Sequence, residues 1–275
     1  TVAHTIDVQR KPSFTKGDRA TQEGGYTLAM RAPDGVDGLV EPGGDGYGTM
    51  RVSYSGMCTG LVVLAEGTRV SLGGHVGRGY DDGGMTVSEW SFHRGLYGKT
   101  PQGYVAGKLW FRRSPGIGDL DGEWHWVKRP GAPPTTVYPG GFETSRPVVG
   151  GRYAAPAAGT RALAELEDAW WNLWLRFAGP DLSVLPGLDL VEVDRVASWT
   201  AGNRIVYFGP ETVKVSFDAK TGMLGGNYVD KAKGVNVTFG GVLLQEQGLV
   251  TGRYATPAWF GKASGLFSAE PREAD

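Results

Sequence analysis

The chain has 275 residues, with 28 Lys and Arg against 29 Asp and Glu, 40% hydrophobic residues, 45 glycines and 16 prolines. That hydrophobic content excludes a disordered chain, and a formal net charge of −1 with scattered Lys and Arg leaves no electrostatic footprint for nucleic acid or an anionic membrane. A single cysteine, Cys58, excludes an internal disulfide, and the absence of CxxC or Cys/His spacing excludes a structural zinc site. So much glycine and proline describes many short strands and tight turns, in one large β domain or two smaller ones. No apolar run approaches the ~20 residues of a spanning helix. Thr1 starts in mid-pattern, so a leader is expected to be absent or removed.

In chain order, residues 1–23 are a polar, basic N-terminal extension. Strands are predicted at 26–30, 47–54, 61–65 and 69–76, with a glycine- and aspartate-rich loop over 33–46. Three further strands, at 86–93, 104–111 and 120–128, carry Trp90, Trp110, Trp124 and Trp126, and Pro130 to Pro139 break the pattern. Residues 160–183 fit both periods. Leu163, Leu166, Trp170 and Phe177 have helical spacing, whereas Trp171, Leu173, Leu175 and Phe177 alternate. Because Gly179-Pro180 stops the segment at strand length, the reading is a short helical or irregular entry over 162–168 and a strand over 170–177. Strands over 189–199 and 205–208 lead into a meander over 213–254, where Val213, Val215 and Phe217 share one face and Asp218 to Gly222 supply a hairpin turn.

Four motifs recur in the same order. Met50-Arg-Val-Ser-Tyr54 matches Val213-Lys-Val-Ser-Phe217, Thr59-Gly60 matches Thr221-Gly222, and Val70-Ser-Leu-Gly-Gly74 matches Val237-Thr-Phe-Gly-Gly241. Last, Val149-Gly-Gly-Arg-Tyr-Ala-Ala-Pro156 matches Val250-Thr-Gly-Arg-Tyr-Ala-Thr-Pro257. The expectation is an all-β antiparallel meander, closing into a β-barrel or stacked sheets and built from two related halves. Its parts are the extension 1–23, a first half 24–156 with an insertion over about 77–145, a second half 157–257 and a C-terminal tail 258–275.

Thr221, Gly222, Gly226, Tyr228, Phe239, Gly241, Val242, Leu243, Leu244, Gln245, Gly252 and Tyr254 form a pattern that resembles glycine-rich β modules of large exported proteins of Gram-negative environmental bacteria. Such modules often sit beside immunoglobulin-like or Calx-beta domains. The upstream half is similar, through Gly44-Asp-Gly-Tyr-Gly48, Asp119 to Trp126 and Tyr138-Pro-Gly-Gly-Phe142, so the resemblance covers about 26–254. It implies export and a cell-surface, periplasmic or extracellular setting. It supplies no catalytic residues.

His4, His75, His93 and His125 fall on different segments, and neither HExxH nor Gly-x-Ser-x-Gly occurs. Asp34, Asp37 and Asp45 in one loop, Asp81-Asp82 in another and Asp119 with Asp121 in a third are the calcium candidates, although aspartate is common in turns for its own reasons. A glycosidase pair would draw first on Glu89 and Glu123. No cofactor is expected. Nine tryptophans invite stacking on sugar rings, and alternation puts Trp170 and Trp174 on one face with Trp171 on the other, so that Trp170 and Trp174 are the candidate ligand-binding residues. The functional expectation is a non-enzymatic structural or adhesive module of a surface assembly, with a carbohydrate-binding module or polysaccharide-active enzyme as the alternative. Its partners would be other protein subunits or domains, with polysaccharide the alternative ligand, and residues 1–16 and 258–275 are the pieces expected to add a strand to a neighbouring subunit.

Overall fold

The structure, a computed structural model, describes residues 12–114, 118–179, 192–230, 235–255 and 264–272. Among these, regular structure is strand throughout apart from a short 3-10 turn at Gln245–Gln247. The first sheet comprises β1 (Gly24–Met30), β2 (Gly46–Val52), β3 (Met57–Val63), β4 (Arg69–His75), β5 (Tyr80–Asp82), β6 (Met85–Leu96), β7 (Gly103–Ser114), β8 (Gly118–Lys128) and β9 (Phe142–Arg152). The second comprises β10 (Leu173–Ala178), β11 (Glu192–Trp199), β12 (Ile205–Tyr207), β13 (Thr212–Asp218), β14 (Met223–Asp230), β15 (Val235–Leu244), β16 (Leu249–Ala255) and β17 (Ser264–Pro271).

The strand orders are β4-β3-β2-β1-β9-β8-β7-β6-β5 and β12-β11-β10-β17-β16-β15-β14-β13, antiparallel throughout. Each is an up-and-down meander whose first and last long strands pair, with Leu28 opposite Gly150 and Leu175 opposite Ala269. Both curl until strands at the open seam meet again, β4 against β6 and β12 against β13, with no ladder between them. The fold is therefore all-β and barrel-like, in two halves of related architecture.

Strand alternation fills both interiors. Leu28, Met50, Val62, Trp90, Leu109, Leu120, Trp124 and Trp126 belong to one buried cluster, with Phe92 stacked on Trp90 at 4.9 Å and edge-on to Trp124 at 4.7 Å. Leu173, Leu175, Phe177, Trp199, Tyr228, Phe239, Tyr254 and Phe267 belong to the other. Two buried cations tie loops to the first sheet. Arg146 donates to the Gly44 carbonyl at 2.9 Å and to that of Pro42, while the Lys128 ammonium, its pKa lowered by burial, donates to the carbonyls of Val137 and Pro134.

The outer faces of the two sheets pack on each other. Ala29, Tyr47 and Val63 meet Val242 and Leu244 in a third buried cluster, flanked by Val149 and Met223. At Gly240 a Cβ would meet the Tyr47 hydroxyl, so a larger residue there would have to displace that ring from the joint. Asp45, 1% exposed, sits in the joint. Its carboxylate accepts from Thr251 Oγ1 at 2.6 Å and the Ala32 amide at 2.7 Å and pairs with Arg31 at 3.1 Å, while its own amide donates to the Gly252 carbonyl. The Gln245 side chain donates to the Ala154 carbonyl and accepts from its amide, at 3.0 and 2.8 Å.

Several expectations are corrected. Residues 77–145 are not an addition to a complete half, because β6, β7 and β8 carry the ladder from the β4–β6 seam round to β9. Residues 264–271 are not tail but β17, hydrogen-bonded between β10 and β16. Residues 1–11, 180–191, 256–263 and 273–275 lie outside the described residues, and with them much of the strand-exchange expectation and the first part of the predicted strand 189–199. The first and third motif matches fall in the corresponding strands β2 and β13, β4 and β15, whereas in the second Thr59-Gly60 lie within β3 and Thr221-Gly222 in the turn before β14. The fourth does not correspond, since β9 lies between β1 and β8 whereas β16 lies between β15 and β17.

Replacing Asp45 by Ala leaves Thr251, the Ala32 amide and Arg31 without their shared acceptor. The expected cost is about 3 kcal/mol in chemical denaturation, against less than about 1 kcal/mol for Asp34→Ala.

Candidate functional site

Three exposed aromatics stand beside the start of β10 and the end of β12. Trp170 and Trp171 lie in the turn before β10, 66% and 55% exposed, and Phe208, 58% exposed, lies just after β12. The rings of Trp170 and Phe208 meet edge-on, with centroids 5.6 Å apart. The turn places them there because the core face of β10 is taken by Leu173, Leu175 and Phe177, and because the strand begins at Leu173 rather than at residue 170. The predicted opposition of Trp170 and Trp171 is therefore wrong, and both reach solvent. Residues 162–168 are irregular, as one branch of the prediction had it, and anchor the turn through buried Ala162, Leu163 and Leu166.

Trp171 is held at φ 60°, in the left-handed region that bulky residues rarely adopt. Its amide donates to Ser198 Oγ at 2.8 Å, and Arg272 donates to its carbonyl at 3.3 Å. The fold thus bears backbone strain where it presents an indole to water. Trp174, half-buried on β10, has the Arg176 guanidinium 5.7 Å and that of Arg272 5.4 Å from its ring, so cations already cover it. Arg176 is in turn paired with Glu270 at 3.1 Å and Asp194 at 3.7 Å. The Trp174 ring thus lies against arginine rather than beside the other exposed aromatics. Sequence reasoning missed Phe208, whose one signal was a large aromatic directly before Gly209-Pro210.

A polar island lies on the inward side of the second sheet. Arg195 shares the inward face of β11 with Val193 and Ala197 and donates to Glu211, which stands ahead of β13, and to Tyr228 Oη at 3.1 Å. Tyr207 donates to the other carboxylate oxygen of Glu211, and Tyr228 Oη lies 3.3 Å from the first. Burial opposes the Glu211 charge, but hydrogen bonds from Tyr207 and Arg195 outweigh it and hold the carboxyl below its ordinary pKa. Beside this island a cavity of about 10 Å³, lined by Phe177, Val193, Tyr228, Val237 and Tyr254, has room for about one water.

The other candidates do not assemble into a reactive site. Asp45 is committed to the joint, Asp37 accepts from the Leu39 amide in its own turn, and Asp34 lines an open cleft of about 250 Å³ beside Arg31 and Gly179. Among the described residues no three metal-ligating side chains converge. Glu89 accepts from Tyr80 and Trp110 at 2.9 and 3.2 Å, and the strand β7 separates it from Glu123 of β8. His125 stands between Ser145 Oγ and Glu143, each at 3.1 Å, which is the inventory of an acyl-transfer triad. Yet Glu143 is 70% exposed, and the three residues lie on facing rungs of β8 and β9, whose amides belong to the ladder and offer no oxyanion hole. Cys58 is buried and its thiol pKa is pushed up to about 12 by burial, so it is unreactive.

No protein-family model, curated protein or solved structure matches the chain.

Trp171→Gly relieves the left-handed strain and removes only exposed indole, so thermal melting is expected to show a gain of about 1 kcal/mol. Glu211, with its folded pKa lowered, contributes stability that is complete above the unfolded value of about 4.3 and is lost as pH falls through the folded value. Urea midpoints measured from pH 7 down to pH 3 should therefore fall less steeply for Glu211→Gln than for the parent chain.

Proposed function

We propose that this chain is a non-enzymatic structural or adhesive module of an exported, surface-associated assembly, and that it makes contact through the Trp170, Trp171 and Phe208 patch. The observation that carries the reading is Trp171, an exposed indole on a strained backbone that two neighbouring side chains hold in place. Exposed aromatics beside arginine are the usual anchors of a contact surface. The filled sheet interiors and the joint between them suit a rigid body that transmits force or spacing. The resemblance to glycine-rich modules of exported proteins supports the surface setting. Protein surface is the favoured partner, because Trp170 and Phe208 meet edge-on and Trp174 is covered by guanidinium groups, which leaves no flat row of rings for a sugar chain.

The test uses immobilised surface material of the producing cell, separated into protein and polysaccharide fractions. The parent chain should be retained by the protein fraction, and the Trp170→Ala/Trp171→Ala variant should lose at least about tenfold in retention while its melting point moves by less than about 2 °C. Undiminished retention of the variant, or glycan hydrolysis by the purified chain, would refute the reading.

A further inference from the structure

A cleft of about 250 Å³ opens where the turn after β1 meets the end of β10 and the start of β17, so that its walls come from both sheets. Those walls are fixed to each other. The Gly43 amide donates to the Ser264 carbonyl at 2.9 Å, and a Cβ at Gly44 would meet the Gly265 carbonyl, so the loop before β2 lies directly on β17. Tyr138 Oη bridges the two, accepting from the Ser264 amide at 3.1 Å and donating to the Gly38 carbonyl at 3.0 Å. The space is therefore formed in advance, at the kind of boundary between packed units where small molecules commonly bind.

Two opposite charges line this cleft without meeting. Arg31 is tethered through Nε to the buried Asp45 carboxylate at 3.1 Å, which fixes where the guanidinium lies, yet the side chain stays 38% exposed. Among the described residues no hydrogen bond takes up its two η nitrogens, an edge that can grip a carboxylate with two parallel bonds. Asp34, three residues on, is exposed in the same cleft, and its carboxylate has no partner among the described residues, Arg31 included. One cation, Arg31, thus faces two acids, Asp34 and Asp45, and the lining holds one negative charge in excess. A simple anion would be repelled by that excess, and a simple cation would leave the guanidinium edge unused. A zwitterion answers both. Beside the charges the wall is aliphatic, with Val36, Ala178 and Leu266 half-buried. The volume falls below the roughly 300–1,000 Å³ of sites for drug-sized molecules, which suits one small metabolite rather than a peptide or a sugar chain.

We infer that this cleft binds a free α-amino acid with an aliphatic side chain. The ligand carboxylate takes the η edge of Arg31, its ammonium takes Asp34, and its side chain lies against Val36 and Leu266.

L-leucine is the probe, titrated calorimetrically into the full chain and into Asp34→Asn, with isocaproate and isopentylamine as the analogues that lack the ammonium and the carboxylate. The inference predicts a dissociation constant for leucine at or below about 1 mM, and at least about tenfold weaker binding of leucine to Asp34→Asn and of either analogue to the parent chain. Asp34→Asn removes an exposed charge without a partner, so its melting point should move by less than about 2 °C. Arg31→Lys, which keeps a charge beside Asp45 but loses the fork, should weaken leucine at least about tenfold as well. If Arg31→Lys melts below the assay temperature, Asp34→Asn and the two analogues decide alone. Absence of leucine binding at about 10 mM, binding that Asp34→Asn leaves unchanged, or equal binding of either analogue overturns the inference.

Discussion

The contact between the outer faces of the two curled sheets governs the rest of the structure. An antiparallel sheet ordinarily buries one face and leaves the other to water. Here β1, β2 and β15 are covered on both, because Ala29, Tyr47 and Val63 lie against Val242 and Leu244. Close approach then favours glycine opposite Tyr47, and the buried Asp45 forces donors to surround it. Desolvation pushes the Asp45 pKa up, and Arg31, Thr251 and the Ala32 amide oppose that shift. A carboxylate so placed specifies which surfaces meet more than it adds to stability, since a misaligned joint would leave it buried without partners.

That joint directs where function can lie. With tryptophans and phenylalanines filling both interiors and the outer faces of β1, β2 and β15 spent on the joint, two places stand out among the described residues of the second sheet: the exposed aromatics beside the start of β10 and the end of β12, and the seam where β12 and β13 fail to pair. The first carries Trp170, Trp171 and Phe208, and the second carries Arg195, Tyr207, Glu211 and Tyr228.

Alternation made the strands legible. Trp124 and Trp126 against Glu123 and His125 mark β8 without any structure, and the same pattern marks β13 through Val213, Val215 and Phe217. Closure was less legible, because the pairing of β1 with β9 and of β10 with β17 joins segments more than eighty residues apart by backbone bonds that impose no residue type. The recurring Val-Ser-aromatic and Gly-Arg-Tyr motifs overstated the likeness of the halves, since strands in one meander resemble each other wherever they stand. Asp45 looks like any aspartate of a glycine-rich turn, and only the chain brought against it from Thr251 reveals its role. Trp171 was misplaced for a local reason. The alternating pattern was extended three residues past the start of β10, into a turn with left-handed backbone at Trp171. Glu211 was invisible in one dimension, because Arg195, Tyr207 and Tyr228 stand on three different strands.

If the joint is as extensive as its contacts indicate, the two sheets cannot unfold separately. Scanning calorimetry of the whole chain measures this directly. A single transition with calorimetric and van't Hoff enthalpies in a ratio near ~1, sharing one midpoint between near-ultraviolet and far-ultraviolet signals, is the predicted result. Two resolved transitions, or a calorimetric enthalpy about twice the van't Hoff value, would show that the sheets melt independently and would contradict the account.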